Sequence, residues 1–441
     1  MGAFAPPSRL RLATTLTATL AALALGGCAH HHGQHRGAAG PSAAVAGPAS
    51  TGATTVLPLD PRGLERIGAV LKRQIDANVM PGAVSLIARD GQIVHYEAHG
   101  SLDAARTRPM PKDALFRLAS MTKPITTVAG MMLVENGVLQ INDPITKWLP
   151  EFKDTKVETP QGDVAPTRPI TVQDLMRHTA GLVYAGSTKS ERIRKGMEQG
   201  NIESREVDIS ADDMLRRLGA IPLAHQPGTF WEYSVATDVL GLLLERASGR
   251  RLDVLLEQLL LGPLGMTDTA FWVPPEKRAR LAEALDADPQ KVTMVKSYRD
   301  SEPPSGRNYL KGGAGLIGTA TDYLKFAQMI ANGGEYDGRR YLSRKTVDFM
   351  LSDHIIDMGG TTASTTGPGY GFGLGFGVRR HPGMNWVAGS VGEATWSGAW
   401  GTTFWVDREQ RLVGMLMTQA PTPRVATRML YRTLVYGAVG G

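Results

Sequence analysis

The sequence predicts an α+β protein: an antiparallel sheet flanked by helices, with a mostly helical subdomain inserted between the two stretches that build the sheet. Three observations carry that expectation. A hairpin pattern near the start, GAVSLIARDGQIVHYEAHG, alternates apolar and polar residues around Asp90-Gly91. A long region of helical patterning then runs to about residue 311. From 369 onward, glycines alternate with aromatic and β-branched residues, as in the strands of a meander.

The elements follow in order. LDPRGLERIGAVLKRQIDANVMPG carries apolar residues at helical spacing behind an Asp60-Pro61 start. After the hairpin, the run beyond Pro124 in FRLASMTKPITTVAGMMLVENG reads as an apolar helix. TVQDLMRHTAGL reads as a helix with a glycine stop, and SADDMLRRLGAI as a helix capped by Ser210 with acids in its first turn. ATDVLGLLLERASG is a helix ending at Gly249, and DVLLEQLLLGPLGM is another. GGAGLIGTATDYLKFAQMIANGG is a glycine loop followed by a Thr-capped helix. GYGFGLGFGVRR, ATWSGAWGTTFWVD and RLVGMLMTQA are the late strands, and RVATRMLYRTLVYGAV is the closing helix. No repeat of 20–50 residues is present.

Composition narrows the function classes. The chain has 441 residues, 42% hydrophobic and 20% charged, enough to bury a sizeable core and too balanced for wholesale disorder. The formal charge is +6, and removing Arg9 and Arg11 with the first 27 residues leaves +4, spread too thinly for a nucleic-acid footprint. Those 27 residues read as an export signal: a basic start, the short apolar stretch LATTLTATLAALAL, then LGGC. The stretch is too short and too weakly apolar to span a bilayer well. Cys28 is the only cysteine, so no internal disulfide can form. Residues 28–58 are rich in Ala, Gly, Ser and Pro and read as a flexible tether; His30, His31, His32 and His35 lie in it without acidic or thiol partners. The folded domain is expected over 59–441, with an α/β part at about 59–118 and 312–441 and a helical part at about 119–311. No metal-ligand spacing is evident among His95, His99, His225, His354 and His381.

Ser120 enters the apolar helix with Lys123 three residues on. Residues so spaced share a helix face, with Cβ atoms about 5–6 Å apart. A helix start near Ala119 would also supply unpaired N–H groups and a positive dipole end, a suitable setting for an alkoxide and an oxyanion. The lysine could accept the serine proton, but a free lysine titrates near 10.4, and neutrality at pH 7 would cost about 4.6 kcal/mol. Burial or a second cation must lower that cost; alternatively a tyrosine phenolate, stabilised by the ammonium, is the base. On spacing alone, a cap serine followed by a surface lysine is the simpler reading, since S-x-x-K is a weak signal.

Four blocks in order change that balance. FRLASMTKPITTVAGMMLVENG, ITVQDLMRHTAGL, QPGTFWEYSVATDVLGLLLERASG and GGAGLIGTATDYLKFAQMIANGG, followed by WSGAWGT, resemble the serine β-lactamase and penicillin-binding-protein superfamily over roughly residues 60–440. The resemblance implies a β-lactamase/transpeptidase-like fold and no cofactor. It makes Ser120 the acylated nucleophile and Lys123 and Tyr233 its proton-transfer partners. It places the oxyanion hole on the backbone N–H groups of Ser120 and Ala399, and Trp396, Ser397 and Gly398 along the substrate. Gly398, lacking a side chain, is expected to let substrate approach the strand edge, and Trp400 to help line the acyl pocket. His178 in RHTAGL is expected to be a structural loop residue. LGGC resembles the lipobox of bacterial lipoproteins, which implies acylation at Cys28 and a membrane-tethered, exported protein.

Two positions depart from the lactamases. Val235 stands where the second motif usually has Asn, and neutral Trp396 where the third has a basic residue. The loss of a charge-assisted contact weakens the hold on a substrate carboxylate by about 1.5–3 kcal/mol. Tyr-Ser-Val with Trp-Ser-Gly instead resembles the family VIII carboxylesterases, built on the class C β-lactamase scaffold, and related acyltransferases. The expectation is a serine hydrolase acting on carboxylic esters through an acyl-enzyme. The alternatives are a β-lactamase or D-amino-acid peptidase using the same site, or an inactive wall-binding lipoprotein. A Ser-His-Asp hydrolase lacks support, because no G-x-S-x-G is present.

Overall fold

The computed structural model describes residues 56–203, 209–291 and 309–440. The export signal, Cys28, the tether up to residue 55 and its four histidines lie outside the described residues.

Helix α1 (Pro61–Asp76) starts at the expected place: Asp60 caps it, accepting from the Arg62 and Gly63 N–H groups, with proline in the first turn. Strands β1 (Gly82–Arg89) and β2 (Gln92–Gly100) form the expected hairpin. Its turn puts Asp90 at φ 54° and Gly91 at φ 77°, the left-handed pair that a two-residue hairpin turn demands. The C-terminal strands are β3 (Tyr370–Phe372), β4 (Gly377–Arg379), β5 (Ala394–Ser397), β6 (Thr403–Asp407) and β7 (Leu412–Thr418). Together they form one seven-stranded sheet in the order β3-β4-β5-β6-β7-β1-β2. Every neighbour pairs antiparallel, and the two ends of the chain meet where β1 pairs β7, Ala83 opposite Thr418 through Arg89 opposite Leu412.

Both faces of this sheet are covered, so β1 is buried from Gly82 to Ala88 and β7 throughout, rather than alternating as the hairpin pattern suggested. Val84, Leu86 and Ala88 of β1, with Val413, Met415 and Met417 of β7, face the larger core shared with the helical region. Ala83 and Ile87, with Leu412 and Leu416, face a second core. There they meet Ile67, Leu71 and Ile75 of α1, and Tyr431 and Val435 of the closing helix α7 (Arg424–Tyr436).

Further helices are α2 (Thr122–Glu135), α3 (Val172–Met176), α4 (Ala211–Gly219), α5 (Ala236–Ser248) and α6 (Ala320–Ala331). Ser210 caps α4 and Thr319 caps α6, and Gly249 ends α5 at φ 68°. Helix α3 corrects the reading of TVQDLMRHTAGL as a helix with a glycine stop. It covers only 172–176 and is left at Arg177, with His178 at φ 59°. The buried Asp174 causes the early exit. It completes a capping box with Thr171 and accepts from Arg168, Arg177 and Thr179, folding the following residues back onto its own helix. Burial pushes the Asp174 carboxyl up, but Arg168, the Thr171 N–H and Thr179 hold it below the usual range. No helix among the described residues is long and apolar enough to cross a membrane.

Candidate active site

Ser120 sits where a two-residue strand turns into a helix. Phe116–Arg117 pairs with Ile317–Gly318, and the Leu118 N–H donates to the Leu316 carbonyl at 2.9 Å. A single 3₁₀ turn, Ala119–Met121, then leads into α2, so the α-helix proper begins at Thr122 rather than near Ala119. Ala119 takes φ 48°, a strained conformation for a residue with a side chain. The turn is tied down by Tyr323, whose hydroxyl donates to the Met121 carbonyl at 2.9 Å, and by the Leu316 N–H, which donates to Thr122 Oγ1 at 3.1 Å. Ser120 is half-buried and lines a cleft of about 510 Å³.

Lys123, one turn on, is only 1% exposed. Its Nζ donates to the Gly313 carbonyl at 2.8 Å and to the Tyr184 hydroxyl at 3.1 Å, and lies 4.7 Å from the centre of the Tyr233 ring. Each of these three contacts is an acceptor or a π face, the company that an ammonium favours. The glycine loop of the fourth sequence block supplies the carbonyl. Asp238 of α5 accepts the Gly313 N–H at 3.0 Å, and Thr126 of α2 donates to the Gly312 carbonyl at 2.7 Å. A Cβ on Gly313 would stand 2.8 Å from the Asp238 carboxylate, so the clamp leaves no room for a side chain there.

Tyr233 lines the same cleft, between the short strand Phe230–Trp231 and α5. Its hydroxyl is buried and has no hydrogen-bond partner among the described residues. His178 braces this segment: its carbonyl accepts the Glu232 N–H at 3.1 Å, its Nδ1 lies 3.1 Å from Ser234 Oγ, and its ring meets Tyr233 edge-on at 4.9 Å. Burial, then the charge of Lys123, holds the imidazole well below its ordinary range, so it stays neutral. The histidine is a brace, as the sequence suggested.

The third segment is the end of β5. Trp396, Ser397, Gly398 and Ala399 all line the cleft, and the Trp396 ring lies 5.3 Å from Tyr233. Neither the Ser120 nor the Ala399 N–H has an acceptor among the described residues. Two expectations change here. Gly398 is required by packing rather than by substrate access: a Cβ would lie 2.2 Å from the Leu118 carbonyl oxygen and 2.3 Å from Thr402 Oγ1. Trp400 does not line the cleft. β5 ends at Ser397, the chain turns, and Trp400 is buried against Ala119 and Ala284, where it backs the turn that carries Ser120. Val235, 2% exposed, also lies off the cleft, at the N-cap of α5.

Sequence reasoning missed Tyr184, Asp238 and Arg428. Tyr184 follows RHTAGL by two residues, but no spacing rule links it to Lys123. Burial, then Tyr233, Asp238 and Glu203, pushes its phenol well above the ordinary range, which keeps it a neutral partner of the lysine. Arg428 lines the cleft from α7 and donates to the Gly398 carbonyl. Burial, then the neighbouring Arg424, pulls its guanidinium below the usual value. The outer wall comes from 363–367 and 385–387, where Trp386 is 65% exposed at the mouth.

Known proteins share this frame. The family model described as Beta-lactamase matches residues 67–438. Esterase EstB of Burkholderia gladioli is 35% identical over 386 residues, 82% of this chain and 92% of its own. Lovastatin esterase of Penicillium rubens is 30% identical over 376 residues, 79% of this chain and 91% of its own. Among solved structures, EstCE1, a hydrolase with promiscuous acyltransferase activity, superposes with a TM-score of 0.72 at 28% identity, covering 86% of this chain and 99% of its own. With the family model spanning nearly the whole described fold, and relatives above 30% identity over most of both lengths, this chain belongs to the beta-lactamase family of serine hydrolases.

Proposed function

We propose that Ser120 is the acylated nucleophile, that Lys123 and Tyr233 carry its proton, and that the Ser120 and Ala399 N–H groups hold the oxyanion. The protein is a serine hydrolase, and its substrates are carboxylic esters. The Ser120 oxygen attacks the ester carbonyl carbon, and its proton passes through Tyr233, beside the Lys123 ammonium, to the departing alcohol as the ester C–O bond breaks. Water then attacks the acyl-enzyme, returns a proton by the same route and releases the acid. Two N–H donors aimed at the developing oxyanion each contribute a few kcal/mol at the transition state. The carrying observation is the Tyr233 hydroxyl: buried, without a partner, in the cleft that Ser120 lines, with Lys123 over its ring. A buried hydroxyl left unpaired costs about 1–3 kcal/mol, which a reacting serine or leaving oxygen would offset.

Esters are favoured over β-lactams by the neutral Trp396 indole where a basic side chain would hold a carboxylate, and by the esterases among the relatives. The test is a short-chain nitrophenyl ester beside a chromogenic cephalosporin, on wild type and Ser120→Ala, with fluorophosphonate labelling read by mass spectrometry. Ester turnover that vanishes in Ser120→Ala, with the label on Ser120, is expected. A cephalosporin rate rivalling the ester rate would overturn the esterase reading.

Acylation of Cys28 and attachment to a membrane face form a second part of the proposal, supported by LGGC after a short apolar stretch and by the uniqueness of the thiol. Labelled palmitate should enter wild type and not Cys28→Ser; equal incorporation would reject it.

A further inference from the structure

Helix α7 presents Arg424, Arg428 and Arg432 to the cleft at four-residue spacing. Two of them have other work. Arg432 pairs with the buried Glu393, and Arg424 donates to Gln290 Oε1 at 2.8 Å and to the Pro421 carbonyl. Arg428 has no carboxylate partner among the described residues. Its Nη2 donates to the Gly398 carbonyl, and its Nε is buried with no partner among the described residues.

That carbonyl belongs to the peptide whose N–H is Ala399. The described residues contain no cis peptide bond, and across a trans peptide the C=O and N–H point in opposite directions. Fixing the Gly398 oxygen therefore fixes the Ala399 hydrogen. The Gly401 N–H also donates to the Gly398 oxygen, at 3.0 Å, so the carbonyl is held at two points while its N–H partner has no acceptor and borders the cleft. A charged donor on the carbonyl also polarises the peptide, making the N–H at its other end a stronger donor.

We propose that Arg428 is a positioning residue for the oxyanion hole: its guanidinium holds the Gly398–Ala399 peptide so that the Ala399 N–H faces the reacting carbonyl oxygen. This rests on the reading of Ser120 and Ala399 as oxyanion donors. The rival role, reading an anionic group on the substrate, is disfavoured because a terminal nitrogen of the guanidinium is already committed to Gly398.

The two roles separate in kinetics. Full-length wild type, Ser120→Ala, Arg428→Met and Arg428→Lys are assayed with a neutral nitrophenyl ester and a carboxylate-bearing one, and with an arylboronic acid that forms a tetrahedral adduct on the serine. Positioning predicts that Arg428→Met lowers kcat on both esters by about tenfold to a thousandfold, weakens the boronic acid in parallel, and leaves KM within about threefold. Arg428→Lys, which keeps a cation able to donate to the same carbonyl, should recover part of the lost kcat. Should Arg428→Met not fold, Arg428→Lys carries the test through the same signature: kcat and boronic-acid affinity falling together at constant KM. Unchanged kcat in a folded variant, a KM rise confined to the anionic ester, or boronic-acid affinity that does not follow kcat overturns the proposal. Wild type inactive on both esters would instead defeat the esterase reading itself. Wild-type turnover abolished by Ser120→Ala but untouched by Arg428→Met would defeat this inference alone.

Discussion

Replacing Gly398 by alanine tests how the Ser120 turn and the β5 edge are held against each other. The added Cβ would stand 2.2 Å from the Leu118 carbonyl oxygen, where real contacts essentially never fall under 3.0 Å, so the two segments must part by about 0.8 Å. Leu118 lies two residues before Ser120, and Gly398 one before Ala399, so the displacement falls on both proposed oxyanion donors. A misplacement of about 1 Å costs on the order of a hundredfold in rate. Outright loss of one oxyanion donor costs about 10²–10³-fold, roughly 2.7–4 kcal/mol. Overpacking a close contact destabilises the fold by about 1–3 kcal/mol. Gly398→Ala should therefore lower kcat on a nitrophenyl ester by about a hundredfold, with a modest fall in urea midpoint. Thr402→Ala in the same background removes the second obstruction, 2.3 Å away, but not the backbone carbonyl, so it should restore little. A folded Gly398→Ala enzyme with kcat within threefold of wild type would refute the claim that this contact sets the site.

Three further substitutions probe the parts around it. Tyr184→Phe removes a hydrogen-bond acceptor from Lys123 Nζ, worth about 0.5–1.5 kcal/mol, and should lower kcat/KM by about threefold to tenfold on a nitrophenyl ester; unchanged kcat/KM would show that the lysine needs only Gly313. Asp238→Ala leaves the buried Gly313 N–H without its acceptor and should cost about 1–3 kcal/mol by urea unfolding, with Asp238→Asn costing less; equal losses in the two variants would point to packing instead. Glu393 reports on acid: burial pushes its carboxyl up, but Arg432 and Arg379 outweigh burial and hold it below the usual range. Its stabilising effect is thus complete above an unfolded glutamate's value of about 4.3 and fades as pH falls through the lower folded value. Thermal melts of wild type and Glu393→Gln should converge as pH drops below about 4, and a gap that stays constant from pH 8 to pH 3 would exclude this source of acid sensitivity.

The sheet was legible because its strands are rich in β-branched and aromatic residues and are separated by turn residues at fixed offsets, as at Asp90-Gly91, although the alternation expected of β1 gives way to burial on both faces. Ser120, Lys123 and Tyr233 were legible only through ordered motif blocks, since S-x-x-K by itself resembles a capped helix start. Long-range contacts wrote no local signal. Tyr184 meets Lys123 across 61 positions, and Arg428 meets Gly398 across 30, and no periodicity encodes either. The glycine of Trp-Ser-Gly was visible, but its reason was not. A missing side chain looks the same in sequence whether a substrate or another backbone fills the space, and here the Leu118 carbonyl fills it.

The same ambiguity explains why TVQDLMRHTAGL misled. Helical propensity favours continuation past Met176, yet His178 turns to φ 59°, a conformation that costs a non-glycine residue about 1–3 kcal/mol. Ala119, just before Ser120, takes φ 48°. Such strain persists only where surrounding contacts over-determine the backbone. Ala119 is wedged against Trp400 and Ala284, while His178 is held by Ser234, by the Glu232 N–H and by the Tyr233 ring. Glycine would relax either backbone but would give up the packing, and for His178 the side-chain hydrogen bond, that fixes its direction. Each strained residue stands directly before or against one residue of the proposed catalytic set, Ser120 in one case and Tyr233 in the other. The helical region thus gives up a regular helix at two points in order to aim a hydroxyl and a phenol into one cleft.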